Sequence, residues 1–249
     1  MKVLIAGESW ATISLSGKGF AVYSVANYEE GGDPLIKAIE PIADVTYIRN
    51  HEVEKRFPFE VDQLQQYDVV ILSDCPSDTL LLSTDVFQQS KCQPNRLHTI
   101  REYVTLGGGF LMVGGYMSFA GLGAQAKYYR TPIEEILPVK IARYDDRVEA
   151  PQGLVPKKAD ITHPVLFNIH DPWPAILGYN QFEAKPDSTV LLTIEEDPFL
   201  VLGRWGLGHT AAYASDCSPH WAPKSFLEWE SYASFWQQLI SWLATKSTE

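Results

Sequence analysis

The apolar residues of the chain gather in short uninterrupted runs, which indicate strands buried on both faces of a sheet. The runs are KVLIAG (2–7), YDVVILSD (67–74) and FLMVGG (110–115). Helices cover both sides of a parallel sheet, so the apolar run of such a strand is continuous rather than alternating. The segment DVTYIRN (44–50) alternates between apolar and polar residues and predicts a fourth strand.

Between and after these runs, apolar positions recur at helical spacing. The pattern predicts helices over 33–43, 95–105 and 131–139, with Asp33 and Thr131 at N-caps. A longer aromatic helix is predicted from 225 to 246, with a capping box formed by Ser225 and Glu228. Alternating strands and helices favour a doubly wound parallel sheet with right-handed crossovers.

The second half of the chain differs in composition and in the length of its segments. Residues 140–190 are rich in Pro and Asp and contain only short segments, which predicts an elaboration on the sheet. Three strands are expected over 188–196, 198–206 and 209–216, with Gly206 and Gly208 turning the last hairpin. We therefore predict one α/β domain over 1–249, mostly parallel, with added antiparallel strands in its C-terminal half.

Charge and motif content exclude several classes of partner and cofactor. The 31 acidic residues outnumber the 20 basic ones, and a formal net charge of −11 argues against nucleic-acid binding. No GxGxxG or phosphate loop follows the first strand, and no histidine spacing resembles a zinc site, so no cofactor or metal is expected. The short acidic runs at 145–146 and 195–197 are expected to be solvated.

The expected location is the cytoplasm. Three cysteines form no even framework and no CxxC pair. The first apolar run is too short for a signal peptide, and no stretch approaches the ~18 apolar residues that span a bilayer. We expect no membrane association.

Polar or reactive residues follow four of the predicted strands. In open parallel sheets, ligands bind outside the carboxyl ends of the strands, so these residues are the candidates for a site. Backbone N–H groups past the Gly114-Gly115 turn could also hold an anion. The candidate ligand-binding residues are Glu8, Ser9, Trp10, Asp74, Gly114, Gly115 and Met117; the candidate catalytic residues are Tyr116, Ser118, Cys75, Asp216 and His220.

Two segments give the chain a family resemblance. They are the glycine-rich turn GGGFLMVGGYMSF (107–119) and the late segment GRWGLGHTAAYASDCSPHW (203–221), which precedes an aromatic helix. With the strand order, they resemble the class I glutamine amidotransferase-like superfamily, and within it the branch of "putative glutamine amidotransferase" domains of unknown function. The resemblance covers roughly residues 1–245 and implies a flavodoxin-like arrangement of the sheet.

The resemblance also implies where glutaminase chemistry would sit. Members hydrolyse glutamine with a cysteine in a G-x-C-x-G turn and a later His-x-Glu pair. Here Gly114 takes the first glycine, Tyr116 takes the cysteine position and Ser118 takes the last glycine. A phenol, with an unperturbed pKa of about 10, is a poor nucleophile. No His-x-Glu pair occurs, so we expect no glutaminase activity, and binding of a small molecule or protein partner at the strand ends.

Two alternatives stay open at this point. A hydrolase could use Cys75, Cys217 or Ser118 as nucleophile with His220, and Asp216 could complete a triad with Ser118 and His220. A homo-oligomeric assembly protein could use the aromatic segments YNQFEAKP (179–186) and SPHWAPKSFLEW (218–229) as an interface.

Overall fold

The computed structural model describes residues 1–246, which are built around an eight-stranded mixed sheet of order β4-β1-β5-β6-β14-β13-β12-β9. The strands are β1 (Lys2–Gly7), β2 (Ser9–Lys18), β3 (Ala21–Glu30), β4 (Asp44–Arg49), β5 (Val69–Ser73), β6 (Gly109–Val113), β7 (Val139–Lys140), β8 (Arg147–Leu154), β9 (Lys157–Lys158), β10 (Ile176–Asn180), β11 (Glu183–Ala184), β12 (Thr189–Ile194), β13 (Asp197–Trp205) and β14 (Gly208–Tyr213). The helices are α1 (Asp33–Ile39), α2 (Asn50–Arg56), α3 (Val61–Leu64), α4 (Ser77–Leu81), α5 (Thr84–Gln89), α6 (Arg96–Thr105), α7 (Pro132–Ile136), α8 (Lys224–Leu227) and α9 (Tyr232–Leu243).

The first five strands of that order run parallel, and the remaining neighbours are antiparallel. Every residue of β5, β6 and β14 is buried, because these strands lie in the middle of the sheet with helices on its faces. The mostly parallel α/β fold with antiparallel strands in the C-terminal half, predicted from the apolar runs, is confirmed.

The predicted C-terminal helix is interrupted. It forms as α8 and α9, and Ser225 lies inside α8 rather than at its cap, which is Pro223. The predicted capping box with Glu228 is therefore wrong. The aromatic stripe of α9 does enter the core, where the Trp236 ring packs 5.1 Å from the Tyr213 ring of β14. Among the described residues, no helix combines the length and apolar character needed to cross a bilayer.

The caps of two earlier helices also differ from expectation. Asp33 is the first residue of α1, and the cap position falls on Gly32. Thr131 does precede α7, but its side chain makes no capping hydrogen bond. Glu134 instead accepts from the backbone N–H groups of Arg130, at 2.5 Å, and Ile141, at 2.8 Å.

A long hairpin departs from the sheet between β1 and α1, and the sequence pattern did not predict it. We call this hairpin, Ser9–Glu30, the arm. Its strands β2 and β3 pair in register from Ser9↔Glu30 to Lys18↔Ala21, and they form a sheet of their own. Serine, alanine and threonine alternate with the larger apolar residues of the arm. The alternation is therefore weak, which explains why it was missed.

Candidate functional site

The neighbouring parallel strands β1 and β5 end in unusual backbone conformations. Glu8 (φ +46°) and Asp74 (φ +47°) both adopt the left-handed region, which costs a non-glycine residue on the order of 1 kcal/mol or more. A hydrogen bond from the Glu8 N–H to the Ser73 carbonyl, 2.7 Å long, ties the two strand exits together. Residues with a strained backbone that the surrounding structure holds in place are typical of functional sites.

Three carboxyl groups, Glu8, Asp74 and Asp216, converge at this edge and form what we call the acid cluster. The Glu8 carboxylate accepts from the hydroxyl of Ser218 at 2.6 Å and from the hydroxyl of Ser73. The Ser218 hydroxyl also lies 3.0 Å from Asp216 Oδ1. One hydroxyl carries one proton and cannot donate to both carboxylates. The Ser218 backbone N–H donates to Asp216 Oδ1 at 2.9 Å, so that oxygen keeps a donor when the hydroxyl donates to Glu8.

Burial raises the pKa of every member of the acid cluster. For Glu8, burial outweighs the hydrogen bonds from Ser218 and Ser73, which lower the pKa. Burial together with the Glu8 charge raises the pKa of Asp74 to about 7. The pKa of Asp216 is raised well above its ordinary range by burial and by the charges of both other carboxylates. No Lys or Arg within residues 1–246 forms an ion pair with the cluster. The cluster therefore retains protons near neutral pH.

The glycine turn after β6 packs directly against Asp74. The Met117 N–H donates to Asp74 Oδ1 at 2.5 Å, and the Asp74 N–H donates to Ser118 Oγ at 3.1 Å. Gly115 has φ +151°, and a Cβ there would overlap the same carboxylate oxygen. The Met117 N–H past the turn is therefore occupied by the protein's own Asp74 carboxyl group.

Two residues that sequence reasoning missed hold the turn from behind. Asn180 Oδ1 accepts from the Gly115 N–H at 2.9 Å, and Asn180 Nδ2 donates to Asp146 Oδ1 at 2.8 Å. The same carboxylate accepts from the backbone of Ala120 and Gly121. Asp146 is buried, so the expectation that it is solvated was wrong. The acidic pair carried no signal that one member accepts from two backbone N–H groups of a distant loop and from the Asn180 side chain.

Ser9 and Trp10, also candidates from the sequence, lie at the base of the arm. The backbone N–H of Asn50 donates to Ser9 Oγ at 2.9 Å, and its side-chain Nδ2 bridges the carbonyls of Ser9 and Asp74, each at 2.8 Å. Trp10 is half-buried. Gly31 directly follows the second strand of the arm, at the same base. A Cβ on Gly31 would stand 2.7 Å from both Glu8 Oε1 and Ser218 Oγ. The arm thus leaves and re-enters the body directly at the acid cluster.

Tyr116 follows the glycine turn, at the position that the resemblance assigns to the nucleophile. Its hydroxyl donates to Glu149 Oε1 at 2.7 Å, and its ring lies edge-on to His220 with 4.3 Å between centroids. The Arg147 guanidinium stands 4.4 Å from the ring centre. Burial and the Glu149 carboxylate raise the pKa of the phenol. The next helical turn after Tyr116 starts only at Leu122, so no helix N-terminus supports a nucleophile here.

The structure does not bring His220 to a nucleophile. His220 Nδ1 lies 3.9 Å from Asp216 Oδ2, but no hydrogen bond in the described part of the chain joins it to Cys75, Cys217 or Ser118. Both cysteines are buried, and burial raises the pKa of Cys75 to about 12 and that of Cys217 well above its ordinary value. A thiol with a raised pKa is a weak nucleophile. The hydrolase arrangements considered from the sequence are therefore not assembled.

Glu8, Asp216 and Cys217 place potential metal-ligating atoms within 4.8 Å of one another. The hydroxyls of Ser73 and Ser218 already donate to the two Glu8 oxygens. Metal binding needs a thiolate, whereas burial and the neighbouring carboxylates raise the pKa of the Cys217 thiol. Glu8, Asp216 and Cys217 are therefore better suited to sharing protons than to binding a metal ion.

The aromatic segments expected to form an oligomer interface are mostly inside the body of the protein. Tyr179, Phe182, Trp221 and Phe226 are all buried. The Trp221 indole N–H donates to Glu149 Oε2 at 3.1 Å, beside Tyr116. Among the described residues, seven of the sixteen exposed large apolar side chains lie on the arm instead.

Comparison with known families identifies the family of the chain. The family model described as "Putative glutamine amidotransferase" (GATase1-like) matches residues 2–245. The chain belongs to this family. Membership confirms the resemblance inferred from the glycine turn and the late segment.

Two solved structures resemble the chain over nearly its whole length. The cytoplasmic protein STM3548 from Salmonella typhimurium is 41% identical, with a TM-score of 0.95 and complete coverage of both chains. The cytoplasmic protein STM1381 from Salmonella typhimurium LT2 is 41% identical, with a TM-score of 0.94, and the match covers 98% of this chain and 99% of that one. None of the curated proteins matches the chain.

Proposed function

We propose that this GATase1-like protein binds a small molecule carrying a protonated amine at the carboxyl end of the sheet, and that it is not a glutaminase. The observation that carries the proposal is the acid cluster, where burial raises the pKa of each of the three carboxyl groups and no Lys or Arg within residues 1–246 pairs with them. Such an arrangement is costly to the fold, and strongly perturbed carboxyls in a strand-end site are typical of ligand binding.

Asp74 is the member of the cluster that a ligand can reach. Its side chain is partly exposed, whereas those of Glu8 and Asp216 are buried. Oδ1 of Asp74 accepts from the Met117 N–H, and Oδ2 accepts no hydrogen bond within residues 1–246. An ammonium group is a pure donor and would satisfy that oxygen. Its charge would also lower the pKa of Asp74, so binding would release a proton.

The groups around Asp74 are compatible with a cation. Burial lowers the pKa of His220, so its imidazole is uncharged at neutral pH and does not repel an amine. The nearby Arg147 is neutralised by Asp145, with its Nη2 2.8 Å from the carboxylate, and by Glu149. The edges of Tyr116 and His220 would border the carbon skeleton of the ligand. The two Salmonella relatives are cytoplasmic proteins, which supports the cytoplasmic location expected from the sequence.

Calorimetric titration with small amines tests the proposal. We expect ethanolamine, 1,4-diaminobutane or L-lysine to bind, with proton release seen as a heat that depends on the buffer, and glycerol not to bind. Asp74→Asn should weaken amine binding by about tenfold or more, because the isosteric amide cannot pair with an ammonium. Asp62→Asn, which removes an exposed carboxylate from α3, serves as the control and should bind normally.

Three results would contradict the amine proposal. One is binding of glycerol as tight as that of the amines. Another is equal amine affinity in the wild type and in Asp74→Asn. The third is binding of Mg²⁺ or Zn²⁺ alone with loss in Glu8→Gln, which would make the cluster a metal site.

We expect the purified protein to release no ammonia from L-glutamine above the uncatalysed background. The resemblance assigns the cysteine position to Tyr116, and the two buried thiols have raised pKa values and no histidine partner within residues 1–246. A coupled ammonia assay measures this directly. Release at an enzymatic rate that disappears in Cys75→Ala or Cys217→Ala would show that a buried thiol is catalytic after all.

A further inference from the structure

The arm has one apolar face and one polar face. Residues that pair directly across an antiparallel hairpin point to the same side. One side, which we call the apolar face, is formed by the pairs Ala11–Tyr28, Ile13–Ala26, Leu15–Ser24 and Gly17–Val22. The other side, the polar face, is formed by Trp10–Glu29, Thr12–Asn27, Ser14–Val25, Ser16–Tyr23 and Lys18–Ala21.

The apolar face is left uncovered by the rest of the chain. Ile13 is 74% exposed, Leu15 75% and Val22 67%. Neither edge of the arm pairs with another strand among the described residues. An isolated two-stranded hairpin is marginal in water, and a contiguous exposed apolar face marks an interaction surface.

The shape of the apolar face is complementary to itself. Each of its cross-strand pairs joins one large and one small residue: Tyr28 faces Ala11, Ile13 faces Ala26, Leu15 faces Ser24 and Val22 faces Gly17. The large side chains form a ridge that crosses the face from β3 to β2 and back, and the small residues leave a groove beside it. A two-fold axis would place the ridge of one arm in the groove of an identical arm, which is the geometry of an isologous interface.

The charge distribution favours the same occupant. Two copies that each carry a net charge of −11 repel one another over most of their surfaces. Lys18 is the single charged residue between Trp10 and Tyr28, and it lies on the polar face. Glu30 faces the same side at the base of the arm, where it pairs with Arg49 at 2.7 Å. Beyond that base the apolar face is uncharged. It is carried on a hairpin about 30 Å long at about 3.3 Å per residue, where two acidic bodies can meet without close approach.

We propose that the arms of two copies of this chain pack face to face through Ile13, Leu15, Val22 and Tyr28, forming a homodimer. Two such faces would bury on the order of 1,000 Å² in total, the lower end of specific interfaces. The dimer is therefore expected to dissociate in the micromolar range. The proposal is independent of what the acid cluster binds.

Analytical ultracentrifugation tests the dimer. The wild-type protein should sediment as a dimer at about 100 µM and as a monomer near 1 µM. The double variant Ile13→Ser, Leu15→Ser should remain monomeric throughout this range. The matched control, Tyr23→Ser, Val25→Ser, removes two apolar side chains that are 46% and 47% exposed from the polar face and should dimerise like the wild type. A monomeric wild type at about 100 µM, or a dimer lost only in the control pair, would overturn the proposal.

Disulfide trapping gives a second readout that does not depend on destabilising the arm. Cys92 is the exposed cysteine among the described residues, so the experiment uses a Cys92→Ser background. Under mild oxidation, Leu15→Cys on the apolar face should form a covalent dimer, and Ser16→Cys on the polar face should not. Efficient cross-linking of Ser16→Cys with none of Leu15→Cys would place the interface on the other face. Cross-linking of neither variant, with a dimer in sedimentation, would move the interface off the arm.

Discussion

The Gly7→Ala variant is expected to lose about 3–5 kcal/mol of unfolding free energy, a large part of the stability of an ordinary domain. Gly7 has φ +112°, a conformation that alanine adopts only under strain. Its added Cβ would overlap the Ser73 carbonyl oxygen and lie 2.9 Å from Cys75 Cβ. Neither neighbour can yield, because both belong to the buried exit of β5. The overlap would also stretch the Glu8–Ser73 backbone bond that positions the acid cluster.

Chemical denaturation monitored by tryptophan fluorescence measures this loss. Gly17→Ala is the matched control, because a Cβ at Gly17 would meet nothing within 4 Å and its φ is not positive. That control should be as stable as the wild type or slightly more so. A Gly7→Ala midpoint within experimental error of the wild type would mean that β1 and β5 are not packed as closely at their carboxyl ends as the structure has them.

The parallel half of the fold could be predicted because buried strands leave a strong signal. The runs that became β1, β5 and β6 are continuously apolar, and the helix α6 between β5 and β6 carries an Asn95 cap that accepts from Leu97 and His98. The sequence pattern did not predict the arm because most of its residues are exposed in the single chain. Its residues alternate, but between small polar and moderately apolar types, and this pattern is weak. The break between α8 and α9 escaped because aromatic spacing continues across it from Phe226 to Trp236.

The candidate site was located by topology, but the roles of its residues could not be read from the sequence. The rule that ligands bind at strand ends selected Glu8, Asp74 and Asp216, and the structure brings all three together. Their roles depend on partners that are far away in sequence: Ser73 and Ser218 on Glu8, and Met117 on Asp74. The Gly114-Gly115 turn looked like an anion-binding elbow. The N–H past this turn instead donates to Asp74, a side chain of the protein itself. Only the packing of β5 against β6 shows this.

The acid cluster is also expected to make the protein less stable as the pH rises from about 4 to 7. Burial and the Glu8 charge raise the pKa of Asp74 from about 3.8 in the unfolded chain to about 7 in the folded one. Between these values the folded state binds more protons than the unfolded state, so the unfolding free energy falls with rising pH and levels off above pH 7. Asp74→Asn keeps the hydrogen bond from the Met117 N–H but cannot ionise, so this part of the decline should disappear.

The quantity to measure is the difference in unfolding free energy between Asp74→Asn and the wild type, by urea denaturation from pH 4 to pH 8. Burial lowers the pKa of His163, His209 and His220, which contributes a slope of opposite sign, and the subtraction cancels it. Near pH 4 the two proteins should differ least in stability, since Asp74 is protonated in the folded state and has only begun to lose its proton in the unfolded state. At pH 8 the variant should be more stable by on the order of 2 kcal/mol, a value reduced from the full pKa shift because water reaches part of the side chain. The exposed control Asp62→Asn should show no such pH-dependent gain. If Asp74→Asn were instead less stable than the wild type at pH 8, Asp74 would be ionised and paired with a cation in the folded protein, and both the uncompensated acid cluster and the amine site built on it would have to be abandoned.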